Sequence, residues 1–168
     1  RYSPYPGINQ KNQKTVINFN DLFMLDRISD KTVEKGLSST LGFELKNQDI
    51  LNQDKINLGV GINFRADNDE DLPLSSSLGN KTSDLIGYSG LNITENLSFG
   101  YDFSIKHNLS DINYSLVSTK YKTDKFKTSF EYMEKSNFIG DESYFTNLTE
   151  LEVDKSNSLA FETNRNID

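Results

Sequence analysis

One histidine, His107, and no cysteine occur in the 168 residues of this chain, and those two counts bound what its side chains can do chemically. A Ser/His/Asp relay needs an imidazole between a hydroxyl and a carboxylate. His107 instead ends an alternating run, beside Asn108, where an exposed loop position is the ordinary reading. Thiolate metal sites and disulfides are excluded, and the redox compartment stays open. The acidic run Asp67-Asn68-Asp69-Glu70-Asp71 begins like a calcium loop. Its sixth position is Leu72 where the sharp turn needs Gly, and its twelfth is Leu78 where a bidentate Glu belongs. It reads as a solvated loop, with weak attraction of divalent cations as its one chemical property. Arg27, with Asp26, Asp30 and Glu34 nearby, reads either as an ion-paired anchor at a strand end or as a screened surface pair worth about 0–1 kcal/mol. No Gly-rich phosphate loop and no paired metal ligands are present. An enzyme is the least supported class, and no cofactor, metal or catalytic residue is expected.

The elements that position these residues are strands. Seven segments between Leu37 and Thr163 alternate apolar and polar residues at period two, joined by turns rich in Asn, Asp, Lys and Ser. The clearest runs from Leu97 to Ile105. Leu97, Phe99, Tyr101, Phe103 and Ile105 form one face, and Ser98, Gly100, Asp102, Ser104 and, just beyond, Lys106 form the other. Leu85 to Ile93 meets it at Thr94-Glu95-Asn96, a tight hairpin. Ile112 to Tyr121 and Phe126 to Lys135 flank Lys122-Thr123-Asp124-Lys125. Leu37, Ser39, Leu41, Phe43 and Leu45 share a face, as do Ile56, Leu58, Val60, Ile62 and Phe64 across a loop from Asn47 to Lys55. Leu148 to Val153 and Leu159 to Thr163 flank Asp154-Lys155-Ser156-Asn157. The expected fold is all-β, an antiparallel up-and-down meander.

Composition then separates a soluble sheet from a membrane one. Hydrophobic residues are 35% and mean hydropathy is −0.62, whereas soluble domains carry about 45–50% apolar residues, Gly included. A disordered chain shares that poverty but not this sustained alternation with 11% aromatics. A transmembrane β-barrel fits both, because only the lipid-facing half of each strand must be apolar and about 9–11 residues suffice to cross. Nothing approaches the roughly 20 apolar residues of a spanning helix. Tyr88, Tyr114, Tyr121 and Tyr132 sit in or at the ends of candidate strands, where an interfacial girdle and ordinary strand aromatics are both open readings. The formal charge of −7 and pI near 4.8, without a Lys/Arg cluster interleaved with aromatics, argue against nucleic acid. The first residues, Arg1 to Gly7, hold no apolar signal core. The last, Asn164 to Asp168, are polar and turn-like, the ending expected of an internal piece cut between strands, with unpaired edges.

Two ordered motifs give the chain a family resemblance. Asn20-Asp21-Leu22-Phe23-Met24-Leu25-Asp26-Arg27-Ile28, with Glu34 and Gly36 beyond, resembles the "LFSLNRF…D…EGG" run in the barrel of LptD, the lipopolysaccharide-assembly family of Gram-negative outer membranes, above all its alphaproteobacterial forms. Gly61-Ile62-Asn63-Phe64-Arg65, Asp71-Leu72-Pro73 and Ser77-Leu78-Gly79-Asn80-Lys81-Thr82-Ser83-Asp84-Leu85-Ile86-Gly87 are similar to its "GQSYR…D…P…SGL…SDYVG". The residues carrying the resemblance are Leu22, Phe23, Leu25, Arg27, Gly36, Gly61, Phe64, Arg65, Pro73, Leu78, Ser83, Asp84 and Gly87. Asp26, Ile28 and Asn63 depart from the pattern.

The resemblance implies an outer-membrane barrel of many strands, plugged by a partner lipoprotein. Lipopolysaccharide enters through a periplasmic N-terminal domain, joined to periplasmic bridge proteins, and leaves between the first and last strands. Residues 1–168 would be about eight strands of its wall, without the gate strands or the periplasmic domain. Leu97, Phe99, Tyr101, Phe103 and Ile105 would then meet outer-membrane lipid. Ser98, Gly100, Asp102, Ser104 and Lys106 would line a polar lumen with room for the plug. The rivals are another outer-membrane barrel acting as a pore or adhesin, and a soluble antiparallel sheet acting as a binding module.

Overall fold

The computed structural model describes residues 1–4, 9–12, 15–25, 27–28, 34–48, 54–138, 140–154 and 156–167. Its strands are β1 (Tyr2–Ser3), β2 (Gly36–Gln48), β3 (Asp54–Arg65), β4 (Leu85–Asn92), β5 (Leu97–Ile105), β6 (Ile112–Lys122), β7 (Phe126–Phe138), β8 (Gly140–Asp154) and β9 (Asn157–Asn166). They form one antiparallel sheet whose strand order is the chain order, β1 to β9, with β1 and β9 at its two edges. The all-β meander is therefore as expected, with the two-residue β1 added. β5 has the expected bounds, and β8 begins eight residues before Leu148.

Local chemistry explains the turns. At Thr94-Glu95-Asn96 the Thr94 hydroxyl accepts the Asn96 and Leu97 N–H groups at 3.2 and 3.0 Å, and Ile93 N–H reaches the Leu97 carbonyl at 2.9 Å. At the next turn Thr123 repeats the device, accepting from Phe126 N–H at 3.1 Å while its own N–H donates to the Phe126 carbonyl at 2.7 Å. Asp154 closes β8 to β9 by accepting from Ser156 N–H at 2.8 Å and from the Asn157 amide. Side-chain acceptors at fixed offsets spare these backbone donors from needing a longer loop.

The chain divides into two compact units that cut across the strands. The first comprises Arg1–Glu44, Gly59–Gly87 and Phe103–Asn113, and the second Leu45–Leu58, Tyr88–Asp102 and Tyr114–Asp168. Among the described residues the buried hydrophobic ones, Ile17, Phe19, Leu22, Leu72, Leu78 and Ile86, all lie in the first unit, and of these Ile86 alone is on a strand. The core is thus built from the segment before β2 and the long connection between β3 and β4, laid against strand residues.

Many of the strands' large apolar side chains are exposed. Leu37, Leu41, Phe43 and Leu45 alternate along β2, Ile56, Leu58 and Phe64 lie on β3, and Phe130, Tyr132, Leu151, Leu159 and Phe161 lie on β7 to β9. Register puts many of the last group on one face, because Tyr132 opposes Phe145, Thr149 opposes Phe161 and Leu151 opposes both Phe126 and Leu159. Among the described residues no helix is long and apolar enough to cross a membrane.

Candidate functional site

The 3₁₀ turn Asp21–Phe23 brings the first motif onto β2 and β3. It is set by reciprocal bonds between Asn18 and Asp21, Asp21 N–H reaching the Asn18 amide oxygen at 2.9 Å and Asn18 N–H the Asp21 carboxylate at 3.3 Å. The chain approaches so closely that a Cβ on Gly61 would stand 2.8 Å from Leu22 Cδ2, and one on Gly42 would meet the Phe23 ring. Only glycine leaves that room. Leu22 is thereby buried among Ile17, Leu72, Leu78 and Ile86.

Arg27 then enters a buried ion network. Its Nε donates to Glu34 Oε1 at 2.9 Å and its Nη2 to Glu34 Oε2 at 2.5 Å, a two-pronged pairing suited to a planar guanidinium. Its Nη1 donates to Asn63 Oδ1 at 2.9 Å and to Thr40 Oγ1 at 3.2 Å. Arg65 Nη1 reaches Glu34 Oε2 at 3.2 Å, and Arg65 Nη2 donates to Asp69 Oδ2 at 3.2 Å and to the Lys35 carbonyl. All four ionised side chains, Arg27, Glu34, Arg65 and Asp69, are 1–2% exposed. Two cations and two anions balance one another away from water, which is what a buried charge needs to be tolerated.

At the rim Arg1 pairs with Glu34 at 3.1 Å, and Lys35 pairs with Asp71 at 2.6 Å and Asp69 at 3.4 Å. Burial pushes the Glu34 carboxyl up, but the Arg27 hydrogen bond and the charges of Arg27, Arg1 and Arg65 outweigh it and hold the group below the usual carboxylate range. The Asp71 hydrogen bond, with the Asp69 charge, raises the Lys35 ammonium. Two buried donors, Asn63 Nδ2 and Arg65 Nε, have no partner among the described residues.

A second polar node lies in the same unit. Asp84 Oδ2 accepts from Ser104 Oγ at 2.9 Å and from Asn113 Nδ2 at 2.7 Å, while Asp84 N–H donates to Ser77 Oγ at 2.9 Å. Ser83, fully buried, accepts from Asn63 N–H and donates to the Asp84 carbonyl. One carboxylate thus ties the β3–β4 connection to β5 and β6.

These contacts sort the motif residues. Leu22, Arg27, Arg65, Pro73, Leu78, Ser83 and Asp84 are buried and converge in the first unit, with Gly61 and Gly87 beneath close contacts. Gly36 holds a φ of +80°, a turn conformation that glycine adopts freely. Phe23, Leu25 and Phe64 are exposed, Leu25 at 79%. The acidic run is exposed at Asp67, Asn68 and Glu70, as a solvated loop would be, and departs from that reading at Asp69. Asp69 is buried against Arg65, because a guanidinium on β3 four residues earlier supplies the counter-charge. Arg27 is likewise no screened surface pair, and its expected partners Asp26 and Asp30 lie outside the described residues. Asn63, Ser38, Thr40 and Lys35 join the network without having been singled out for it. The signal for one of them was present, since Asn63 stands two residues before Arg65 on the face of β3 opposite Ile56, Leu58, Val60, Ile62 and Phe64.

On β5, Phe99 is exposed, Leu97, Tyr101, Phe103 and Ile105 are half-buried, and the Phe103 ring covers Gly87. On the alternate positions Ser98, Gly100 and Asp102 are half-buried, a Cβ on Gly100 would meet the Ser118 hydroxyl, and Ser104 is covered by its bond to Asp84. Lys106 pairs with Asp111 at 2.8 Å, which holds that carboxyl below its usual range. His107 is exposed in the β5–β6 turn. No group of three or more potential metal ligands occurs among the described residues.

The arrangement locks the first motif, β2, β3 and the β3–β4 connection to one another. A protein-family model described as LptD, LPS transport system D, matches residues 8–164. Neither the curated proteins nor the solved structures give a match.

Proposed function

Since this chain belongs to the LptD family of outer-membrane lipopolysaccharide transport proteins, we propose that its strands are barrel wall of the translocon that assembles lipopolysaccharide in the outer leaflet of a Gram-negative outer membrane. One observation carries the reading. Most of the motif residues are spent on a buried lock between the sheet and its loops, while many large apolar side chains of the strands are left exposed. A soluble domain buries such residues against a second layer, whereas lipid covers them in a membrane barrel.

On this reading Leu97, Phe99, Tyr101, Phe103 and Ile105 meet lipid, and Ser98, Gly100 and Asp102 face the lumen and its plug lipoprotein. Ser104 serves the Asp84 node, and Lys106 the loop beyond. Outer-membrane barrels keep long loops outside the cell and short turns on the periplasmic side. The connection between β3 and β4 therefore lies outward, and the turns at residues 93–96 and 123–125 lie periplasmic. Contact with the periplasmic bridge proteins would come through an N-terminal domain. The role is structural and transporting, without a catalytic step.

The test uses the full natural gene as sole copy, with single cysteines at Phe99 and Ser98. A lipid-soluble maleimide should label Phe99→Cys, and a membrane-impermeant one should reach Ser98→Cys from the aqueous side alone. Depleting the protein should leave newly made lipopolysaccharide unlabelled by reagents confined to the cell surface. The reading falls if both cysteines react equally with the water-soluble reagent, or if depletion leaves surface lipopolysaccharide unchanged.

A further inference from the structure

We propose that the recess around the β4–β5 turn is a binding site for a phosphate-bearing saccharide, held by Lys55, Lys120 and Lys122; the identity of the ligand rests on the transport reading above. The recess measures about 630 Å³ and lies within the second unit. Its three lysines are exposed and have no ion pair or side-chain hydrogen bond among the described residues. Lys11, Lys81, Lys125 and Lys135 are likewise unpaired among the described residues, but Lys55, Lys120 and Lys122 line one recess together. Lys35, Lys106 and Lys127 each have a carboxylate partner.

The register makes the omission costly. Lys122 stands directly opposite Lys127 in the β6–β7 ladder, and like charges in that position destabilise a sheet. Lys127 takes Glu150 at 3.4 Å, which leaves Lys122 with a like-charged neighbour and no carboxylate partner among the described residues. Lys120, two residues earlier, shares the face of Lys122 and adds a second unmet charge at the strand's end. Three compact ammonium groups suit phosphate oxygens, which lysine binds as a point charge.

The rest of the lining sets the class of molecule. Asn92, Thr94, Asn96 and Ser98 offer neutral donors and acceptors, and among the described residues Glu95 is the one carboxylate lining the recess. Hydroxyl-rich groups match such a lining, and a phosphorylated sugar supplies both features. A phospholipid headgroup shares the phosphate but lacks the array of hydroxyls.

The experiment takes the full-length protein with its natural partners in nanodiscs. Its binding is measured to the phosphorylated oligosaccharide released from lipopolysaccharide by mild acid, to the same oligosaccharide after phosphatase, and to phosphatidylglycerol vesicles. The variant Lys55→Gln/Lys120→Gln/Lys122→Gln should bind the phosphorylated sugar at least tenfold more weakly, and raising the salt should weaken the wild type in the same direction. Phosphatase-treated sugar should bind both proteins equally weakly, and Lys106→Gln should bind like the wild type. Heat-modified gel mobility confirms that the variant is folded. If the triple variant fails that check, the three single Lys→Gln variants, each expected to lose about two- to threefold, take its place.

Unchanged affinity in the variants, indifference to phosphatase, or lysine-dependent binding of the vesicles but not the sugar would each overturn the site. Lysine-dependent sugar binding by a protein whose depletion leaves surface lipopolysaccharide intact would sink the transport reading and leave the site standing. Intact transport with lysine-independent binding would do the reverse.

Discussion

The two units of this chain solve the same problem in opposite ways. The first carries its own interior, six buried hydrophobic residues and a buried set of polar and charged ones from Gln10 to Asn113. In the second, among the described residues, Asn147 alone is buried, and its strands are held by ladder bonds and cross-strand pairs such as Thr128 with Thr149 at 2.8 Å. The first unit should therefore respond to substitution as a folded core does, and the second, on the proposed reading, as a surface covered by lipid on one side.

The sharpest break in that comparison is Glu34→Ala. It leaves the Arg27 and Arg65 guanidinium groups buried without their shared carboxylate, a change of the kind that costs about 3–5 kcal/mol. Urea or heat unfolding of the full-length protein in detergent should show a loss of that order, and the same measurement on Glu162→Ala in the second unit should show little. A loss in the first unit below about 1 kcal/mol would mean that the network is open to water. Next is Leu78→Ala. Leu78 is fully buried, so its truncation removes core contacts worth about 2–5 kcal/mol.

The second unit is probed from its exposed face. Phe130 is 44% exposed and its ring lies 6.2 Å from that of Phe145. Phe130→Arg should reduce insertion or folded stability by about 2–4 kcal/mol if the position lies near the bilayer midplane, and less toward its edges. Retained stability in membranes would show instead that water covers this face.

A titration separates the units without mutation. Because the folded-state pKa of Glu34 lies below its ordinary value of 4.5, its contribution to stability is present above that ordinary value and disappears as pH falls through the lower, folded one. Acid should accordingly loosen the first unit before the second, as followed by hydrogen exchange of the Arg27 and Arg65 amides against those of β7 to β9. The effect should be smaller than that of Glu34→Ala, since protonated Glu34 still fills its space and keeps some hydrogen bonds. It should vanish in Glu34→Gln.

Strand rhythm made the sheet legible, and the places where it failed have a physical cause. β5 was readable because its two faces differ sharply, Phe and Tyr against Ser, Gly and Asp. The first half of β8 was not, because Tyr144, Thr146 and Leu148 on one face and Phe145, Asn147 and Thr149 on the other mix polarity equally. The lock was harder still. Arg27 and Glu34 are seven residues apart, but Arg65 and Asp69 reach them only once the β3–β4 connection folds back, so Asp69 read as one more solvated acid. Apolar residues buried outside strands, such as Leu72 and Leu78, gave no periodicity at all and were visible only as motif letters.

The smallest expected effect closes the comparison from the exposed side. Lys127 and Glu150 oppose each other in the β7–β8 ladder at 3.4 Å, with side chains 58% and 45% exposed. Such a pair gains little in a high-dielectric setting and gives up rotamer freedom to form, so Lys127→Ala should change stability by only about 0–1 kcal/mol. The substitution also removes the like charge facing Lys122, a gain of comparable size that opposes the lost pair. A double-mutant cycle with Glu150→Ala isolates the pair itself, and repeating it with Lys122→Gln isolates the repulsion. If Lys127→Ala destabilises wild-type protein as much as Glu34→Ala does, the second unit has a buried polar interior of its own and the contrast between the units collapses. If it stabilises, the repulsion from Lys122 outweighs the ion pair, which is the sign expected where a sheet keeps an unmet positive charge for a ligand instead of for its own folding.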